Sequence, residues 1–208
     1  MTGNEFQDTL AAERVVAILR CGSAAQALDT AKALLTEGIR IVEVSLNTPG
    51  AIEAIAELSR HYGDAPGILI GAGTVLDTKS VEEVAGAGAR FFVSPVFDES
   101  AVAAANELGL AAVPGCLTPT EMLRAHQAGA AAVKVFPATE WTPEGLRNLA
   151  RAMPFLRLIP TGGVGVDDAA EWLAAGAAGL GIGSALEKAG NVTRLREAVA
   201  RYRARDLP

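Results

Sequence analysis

Pro160-Thr161-Gly162-Gly163-Val164 follows one short β-rich run, and Gly181-Ile182-Gly183-Ser184 closes the next. Paired glycines directly after a strand expose backbone N–H groups that can surround a phosphate. Each pair alone says little, because tight turns use glycine anyway. Their place in the chain says more. Counting from the N-terminus, β-rich runs cover residues 15–19, 41–46, 68–71, 91–94, 111–113, 132–136, 156–159 and 179–183, so the glycine pairs belong to the seventh and eighth. The runs start about 20–27 residues apart, room for a strand, a short helix and two loops. Between them, apolar residues recur at helical spacing, as in Ala27, Ala31, Leu34 and Leu35. Helical segments end near Gly38, Gly88, Gly129 and Gly176, the residue type that closes a helix before the chain turns into a strand.

Eight βα units can form an open, doubly wound sheet or a closed barrel. The dinucleotide-binding open sheet carries Gly-x-Gly-x-x-Gly after its first strand. Here residues 15–20 run directly into Cys21-Gly22-Ser23, and the glycine pairs follow strands seven and eight, where barrels commonly hold a phosphate. The expected fold is α/β: a (β/α)8 TIM barrel, a single domain over residues 1–208, with an extra helix over residues 4–12 before the first strand.

Composition supports a globular chain and excludes other classes. Half of the 208 residues are hydrophobic, ample for a core, yet no unbroken apolar run reaches membrane-spanning length. The first residues have neither the basic nor the apolar region of a secretory signal. Two cysteines, Cys21 and Cys116, are too few for a disulfide framework, which points to a reducing cytoplasm. The net charge of −6 is scattered, without the basic stripe a nucleic acid requires. Neither nucleic acid nor membrane is expected as partner, while a few well-placed donors can still bind an anionic small-molecule substrate locally.

In Ala132-Val133-Lys134-Val135-Phe136, strand alternation sends Val133 and Val135 towards the helices and Lys134 into the barrel. A poorly hydrated lysine has a lowered pKa and keeps some neutral amine able to attack a carbonyl. The bland alternative is a lysine that only pairs with a carboxylate. The same alternation sends Glu43 inward, and it is either a structural ion partner or a proton shuttle. Buried ion pairs give weak net stability, so two inward charges in apolar strands favour function. Arg20 ends the first strand on the face where barrel sites lie, and its planar fork suits a carboxylate or phosphate, although it can equally be a solvated strand end. Gly71-Ala72-Gly73-Thr74 reads as a close-approach loop with a hydroxyl. His61 and His126 lie in helical segments without metal-ligand spacing, and Cys116 after Pro114-Gly115 reads as a small packing residue.

Seven segments occur in an order that resembles a known family: Glu43-Val44-Ser45-Leu46, Gly71-Ala72-Gly73-Thr74-Val75-Leu76, Val93-Ser94-Pro95, Pro114-Gly115 with Thr118-Pro119-Thr120-Glu121, Lys134-Val135-Phe136-Pro137-Ala138, Pro160-Thr161-Gly162-Gly163-Val164 and Gly183-Ser184. The chain is similar to the bacterial aldolases of 2-keto-3-deoxy-6-phosphogluconate, the KDPG/KHG aldolase family, over residues 15–190. That resemblance implies a class I aldolase in which Lys134 forms a Schiff base with the C2 ketone and Glu43 moves protons. It further implies that Thr74 touches the pyruvate carboxylate, that Pro95 and Phe136 line the pocket, and that Gly162, Gly163, Gly183 and Ser184 hold the phosphate. No metal or other cofactor is implied, since the iminium polarises the substrate. A homotrimer is implied by resemblance only.

The match has departures. Many members carry an arginine where this chain has Asn47; others use an arginine at the end of the first strand, the place of Arg20. Glu43-Val44-Ser45-Leu46-Asn47-Thr48-Pro49 and Pro114-Gly115-Cys116 look like the sister enzyme acting on the phosphogalactonate epimer, whereas Thr161 looks like the gluconate enzyme. A phosphate-binding barrel isomerase or synthase, resembling thiamine-phosphate synthase, is the alternative of another class, and it leaves Lys134 without a covalent role.

Overall fold

Five consecutive apolar residues form β1 (Val15–Leu19), almost entirely buried, as a parallel strand covered on both faces must be. The computed structural model of the chain describes residues 2–206. It continues with β2 (Ile41–Ser45), β3 (Leu69–Gly73), β4 (Phe91–Val93), β5 (Ala111–Val113), β6 (Gly115–Cys116), β7 (Val133–Val135), β8 (Leu158–Pro160) and β9 (Leu180–Ile182). The helices are α1 (Thr2–Glu13), α2 (Ala24–Thr36), α3 (Ala51–Tyr62), α4 (Thr78–Gly86), α5 (Glu99–Leu108), α6 (Pro119–Gln127), α7 (Pro143–Ala152), α8 (Ala169–Ala174) and α9 (Asn191–Asp206).

All strand pairings are parallel, in the orders β5-β4-β3-β2-β1-β9 and β6-β7-β8. Two links close these arcs into a ring. Thr161 bridges to Gly181, joining the end of β8 to β9. On the other side, β5 and β6 are one barrel strand interrupted at Pro114, which has no N–H to donate; its carbonyl still accepts from Lys134 N at 2.9 Å. The result is the expected eight-stranded (β/α)8 barrel.

Alternation divides the core into two apolar regions. Val42, Val44, Val133, Val135, Leu158, Leu180 and Ile182 pack outward beneath the helices. Val16, Ile41, Leu69, Phe91, Val93 and Ile159 fill the interior together with Phe6 and Leu10 of α1. The extra N-terminal helix is thus a plug for the bottom of the barrel: Phe6 stacks 5.1 Å from Phe91, centroid to centroid, and Gln7 Nε2 donates to Ala131 O at 2.9 Å.

One expectation is corrected. Gly71-Ala72-Gly73 is not a loop but the last part of β3, pairing with Glu43, Val44 and Ser45. The glycines are there for side-chain room. A Cβ on Gly71 would lie 2.5 Å from the Phe91 ring, and one on Gly73 would lie 1.7 Å from Glu43 Oε1. The seventh run also starts later than expected, at Leu158, because Leu156 N donates to Met153 O in a turn.

Candidate active site

The strand ends open on a cleft of about 570 Å³, within the range of small-molecule sites. Arg20, Glu43, Thr74, Lys134, Phe136, Thr161, Gly162, Gly163, Gly183 and Ser184 all line it, so side chains spread over the sequence converge on one face. Pro95 does not line it, although its strand does border the barrel interior; it lies just beyond Ser94, partly exposed. Asn47 is exposed and also outside the cleft, which leaves Arg20 as the arginine that faces it.

Lys134 sits in the middle of β7, between Gly115 and Ile159, and is only 8% exposed. Its Nζ lies 4.5 Å from the centre of the Phe136 ring. Burial lowers its pKa from the usual lysine value; Glu43 opposes that shift, and Arg20 adds to it. Glu43 is 2% exposed, and its Oε2 is buried without a hydrogen-bond partner. Burial raises its pKa, against the attraction of Lys134 and then of Arg20. Among the described residues no direct ion pair joins the two, which leaves space between amine and carboxylate.

Thr74 follows β3 with φ +61°, a left-handed conformation that is unusual for a β-branched residue and gathers at functional sites. Its hydroxyl meets that of Ser45 at 2.9 Å. Opposite, Gly162 and Gly163 have φ of +82° and +93°, which L side chains avoid, and a Cβ on Gly163 would strike Thr139. This loop does not run straight into a helix: α8 begins only at Ala169, and Asp168 Oδ1 accepts from Gly165 N at 2.7 Å. Ser184 opens a 3-10 turn, Ser184–Glu187, after Gly183. Thr161 is buried and donates to Ile159 O at 3.1 Å. It fits because its neighbour is Gly181, whose Cβ would come within 2.2 Å of the Thr161 hydroxyl.

Sequence reasoning missed several cleft residues. Ile18, Val164, Gly165, Ala185 and Glu187 line it; of these Ile18 carries a signal in its inward phase two residues before Arg20, and Val164 in closing the segment 160–164. The remaining candidates fall elsewhere. Burial pushes the Cys116 thiol up to about 12, so it holds no thiolate nucleophile near neutral pH. His61 Nδ1 contacts Glu57 O within its own helix, and His126 packs on Phe155.

Comparison with known proteins decides the family. The model for the aldolase family, KDPG and KHG aldolase, matches residues 6–199. This chain belongs to the KDPG and KHG aldolase family. It is 35% identical over 190 residues to 2-dehydro-3-deoxy-6-phosphogalactonate aldolase of Escherichia coli, covering 90% of this chain and 92% of that one. It is 37% identical over 162 residues to 2-dehydro-3-deoxy-phosphogluconate aldolase of Treponema pallidum, covering 77% and 76%. Among solved structures, the Legionella pneumophila KDPG aldolase with pyruvate captured as a covalent carbinolamine superposes with a TM-score of 0.79 at 28% identity, covering 97% of this chain and 98% of that one. A cube-shaped cage designed by fusing symmetric oligomeric domains gives a TM-score of 0.82 at 33% identity, covering 92% and 74%. Aldolases are carbon–carbon lyases, and this family membership favours the aldolase expectation over the synthase one. Both epimer-specific activities are named among the relatives.

The raised pKa of Glu43 makes stability depend on pH. In the folded state its carboxyl binds a proton more tightly than at the ordinary value of 4.5, so this group's contribution is intact below that value and is lost as pH rises through the folded pKa. Glu43→Gln keeps the shape without the charge. It should therefore raise the melting midpoint relative to the parent at about pH 8, with the gap narrowing as pH falls towards the ordinary carboxylate range. Thermal melts across that range check both the sign and the direction.

Proposed function

We propose that this chain is a class I aldolase that cleaves 2-dehydro-3-deoxy-6-phosphogluconate to pyruvate and glyceraldehyde 3-phosphate through an imine on Lys134. The observation that carries the reading is a buried lysine of lowered pKa facing a buried carboxylate, in a cleft rimmed by two glycine loops. The neutral amine adds to the C2 carbonyl and loses water, giving an iminium. Glu43, raised in basicity by burial, takes the C4 hydroxyl proton, directly or through a water. The C3–C4 electron pair moves into the iminium, the bond breaks, and glyceraldehyde 3-phosphate departs. The enamine takes a proton at C3, and hydrolysis releases pyruvate and the free amine. Arg20 and Thr74 would hold the carboxylate, Phe136 would pack against the carbon chain, and Gly162, Gly163, Gly183 and Ser184 would hold the phosphate. Pro95, outside the cleft, has no direct contact in this reading. Both cysteines are free and buried, which suits a reducing cytoplasm, and among the described residues no helix is long and apolar enough to cross a membrane.

Mixing the protein with pyruvate and borohydride should add one reduced pyruvyl group, and peptide mapping should place it on Lys134. A label on another lysine, or near-normal cleavage by Lys134→Met, overturns the assignment.

Thr161 supports the gluconate epimer. Its hydrogen is engaged by Ile159 O in the free protein; turned towards the cleft, it would donate to the C4 oxygen while the C4 proton goes to Glu43. A site built to bond a hydroxyl loses that bond when the group points the other way. The ratio of kcat/KM for the gluconate over the galactonate substrate should exceed one, and Thr161→Val should lower it about three- to tenfold, the worth of one neutral hydrogen bond. A galactonate preference in the unmodified protein refutes the choice of epimer.

A second copy of the chain is the proposed neighbour. Leu76 and Val96, each 52% exposed, and Leu117, 41% exposed, follow β3, β4 and β6 on one rim of the barrel. Apolar side chains gathered on adjacent loops are what a subunit contact covers, and a structure built from symmetric oligomeric domains is among the nearest in shape. Light scattering should give three times the chain mass; a monomer at micromolar concentration contradicts the trimer.

A further inference from the structure

The end of β2 supplies more than Glu43. Ser45 and Thr48 are both buried, 0% and 2% exposed, yet neither lines the cleft. Their hydroxyls reach in opposite directions. Thr48 Oγ1 accepts a 3.0 Å hydrogen bond from the backbone N–H of Cys21, the residue directly after Arg20. Ser45 Oγ lies 2.9 Å from Thr74 Oγ1 and accepts from Asn47 N at 3.4 Å. The loops after β1 and β3 are thus both tied to the one between them.

We propose that Ser45 and Thr48 are positioning residues that hold the two carboxylate-binding groups, Thr74 and Arg20, in register on either side of Glu43. This rests on the Schiff-base reading above, which makes those two groups the carboxylate ligands. The ladder between β1 and β2 is last registered at Leu19 and Val44. Past that point no strand partner fixes the backbone of Arg20, and the Thr48 hydroxyl takes over that task. Arg20 itself is exposed, so its long side chain is aimed mainly by the backbone from which it springs. Thr74 has the reverse problem. Its left-handed φ persists only where surroundings impose it. Ser45 Oγ and Thr74 Oγ1 share one hydrogen that either can supply; with serine as the donor, the threonine hydrogen is left to donate to an anionic oxygen. One strand end therefore presents the proton acceptor and braces the ligands on both sides of it.

The experiment compares borohydride trapping of two ketones: pyruvate, and hydroxyacetone, which lacks the carboxylate. Ser45→Ala and Thr48→Val should each raise the concentration for half-maximal trapping of pyruvate about three- to tenfold, as for a lost neutral hydrogen bond. Trapping of hydroxyacetone should stay at the parent level, and Thr48→Ser should restore the pyruvate value. A merely structural role would impair both ketones alike, and that result, or no change with either, overturns the proposal. If the unmodified protein forms no adduct with either ketone, the Schiff-base reading itself fails and this inference falls with it. An adduct in the unmodified protein with an unchanged ketone ratio in both variants defeats the brace alone.

Discussion

Two opposite charges, Glu43 and Lys134, are held out of water inside the barrel, and the rest of the structure is arranged around that constraint. Removing such ions from water costs several kcal/mol each even after relaxation, roughly, and mutual attraction alone seldom returns it. The pair is not locked together as an ion pair would be. Instead each charge has a separate accommodation: the amine lies over the Phe136 ring, and the carboxylate fills the space a Cβ of Gly73 would take. The shifts towards neutrality in both groups follow from that geometry, with burial the largest cause for each. Stability has to come from elsewhere, and the apolar shell between strands and helices supplies it.

The interior is graded from bottom to top. Phe6, Leu10, Phe91 and Leu69 seal the lower end with side chains that have no polar atoms. Above them come the charged groups, with only about 10 Å³ of residual void between floor and charges, too little for a solvent channel from below. Higher still, side chains give way to glycines and short hydroxyl residues, so that backbone N–H groups border the opening. The cleft is therefore entered from the strand ends, with Lys134 and Glu43 at its inner end and the glycine loops at its rim.

Much of this was legible in the sequence because alternation is a local rule. Once residues 41–46 and 132–136 are strands, the inward phase of Glu43 and Lys134 follows without further information. The glycine pairs after the seventh and eighth runs were legible for the same reason. What stayed hidden depends on partners distant in the chain. Gly71 and Gly73 looked like loop glycines, since nothing nearby shows that Phe91 and Glu43 need their space. The interruption at Pro114 splits a strand on one side while the chain still pairs on the other, a distinction that local pattern cannot make. Thr48 carries no signal at all, because its partner N–H lies 27 residues away. The resemblance implies Pro95 at the pocket, and the cleft lining does not include it.

The opposition of the two charges is a consequence of counting. Because β5 and β6 form one barrel strand, β7 is the sixth in the ring and β2 the second. In a ring of eight, second and sixth strands are diametrically opposed, and inward residues of even-numbered strands share layers. Glu43 and Lys134 thus approach the axis from opposite walls, and neither can reach the other without crossing the space a substrate would occupy. Arg20 and Thr74 flank Glu43 on β1 and β3, while Thr161 flanks Lys134 after β8. A linear acid lying in the cleft on the proposed reading is gripped by its carboxylate near one wall and held at C2 from the other. The same opposition keeps the two groups from forming a direct ion pair among the described residues, and on the proposed reading it is what lets a carbon chain lie between carboxylate and amine.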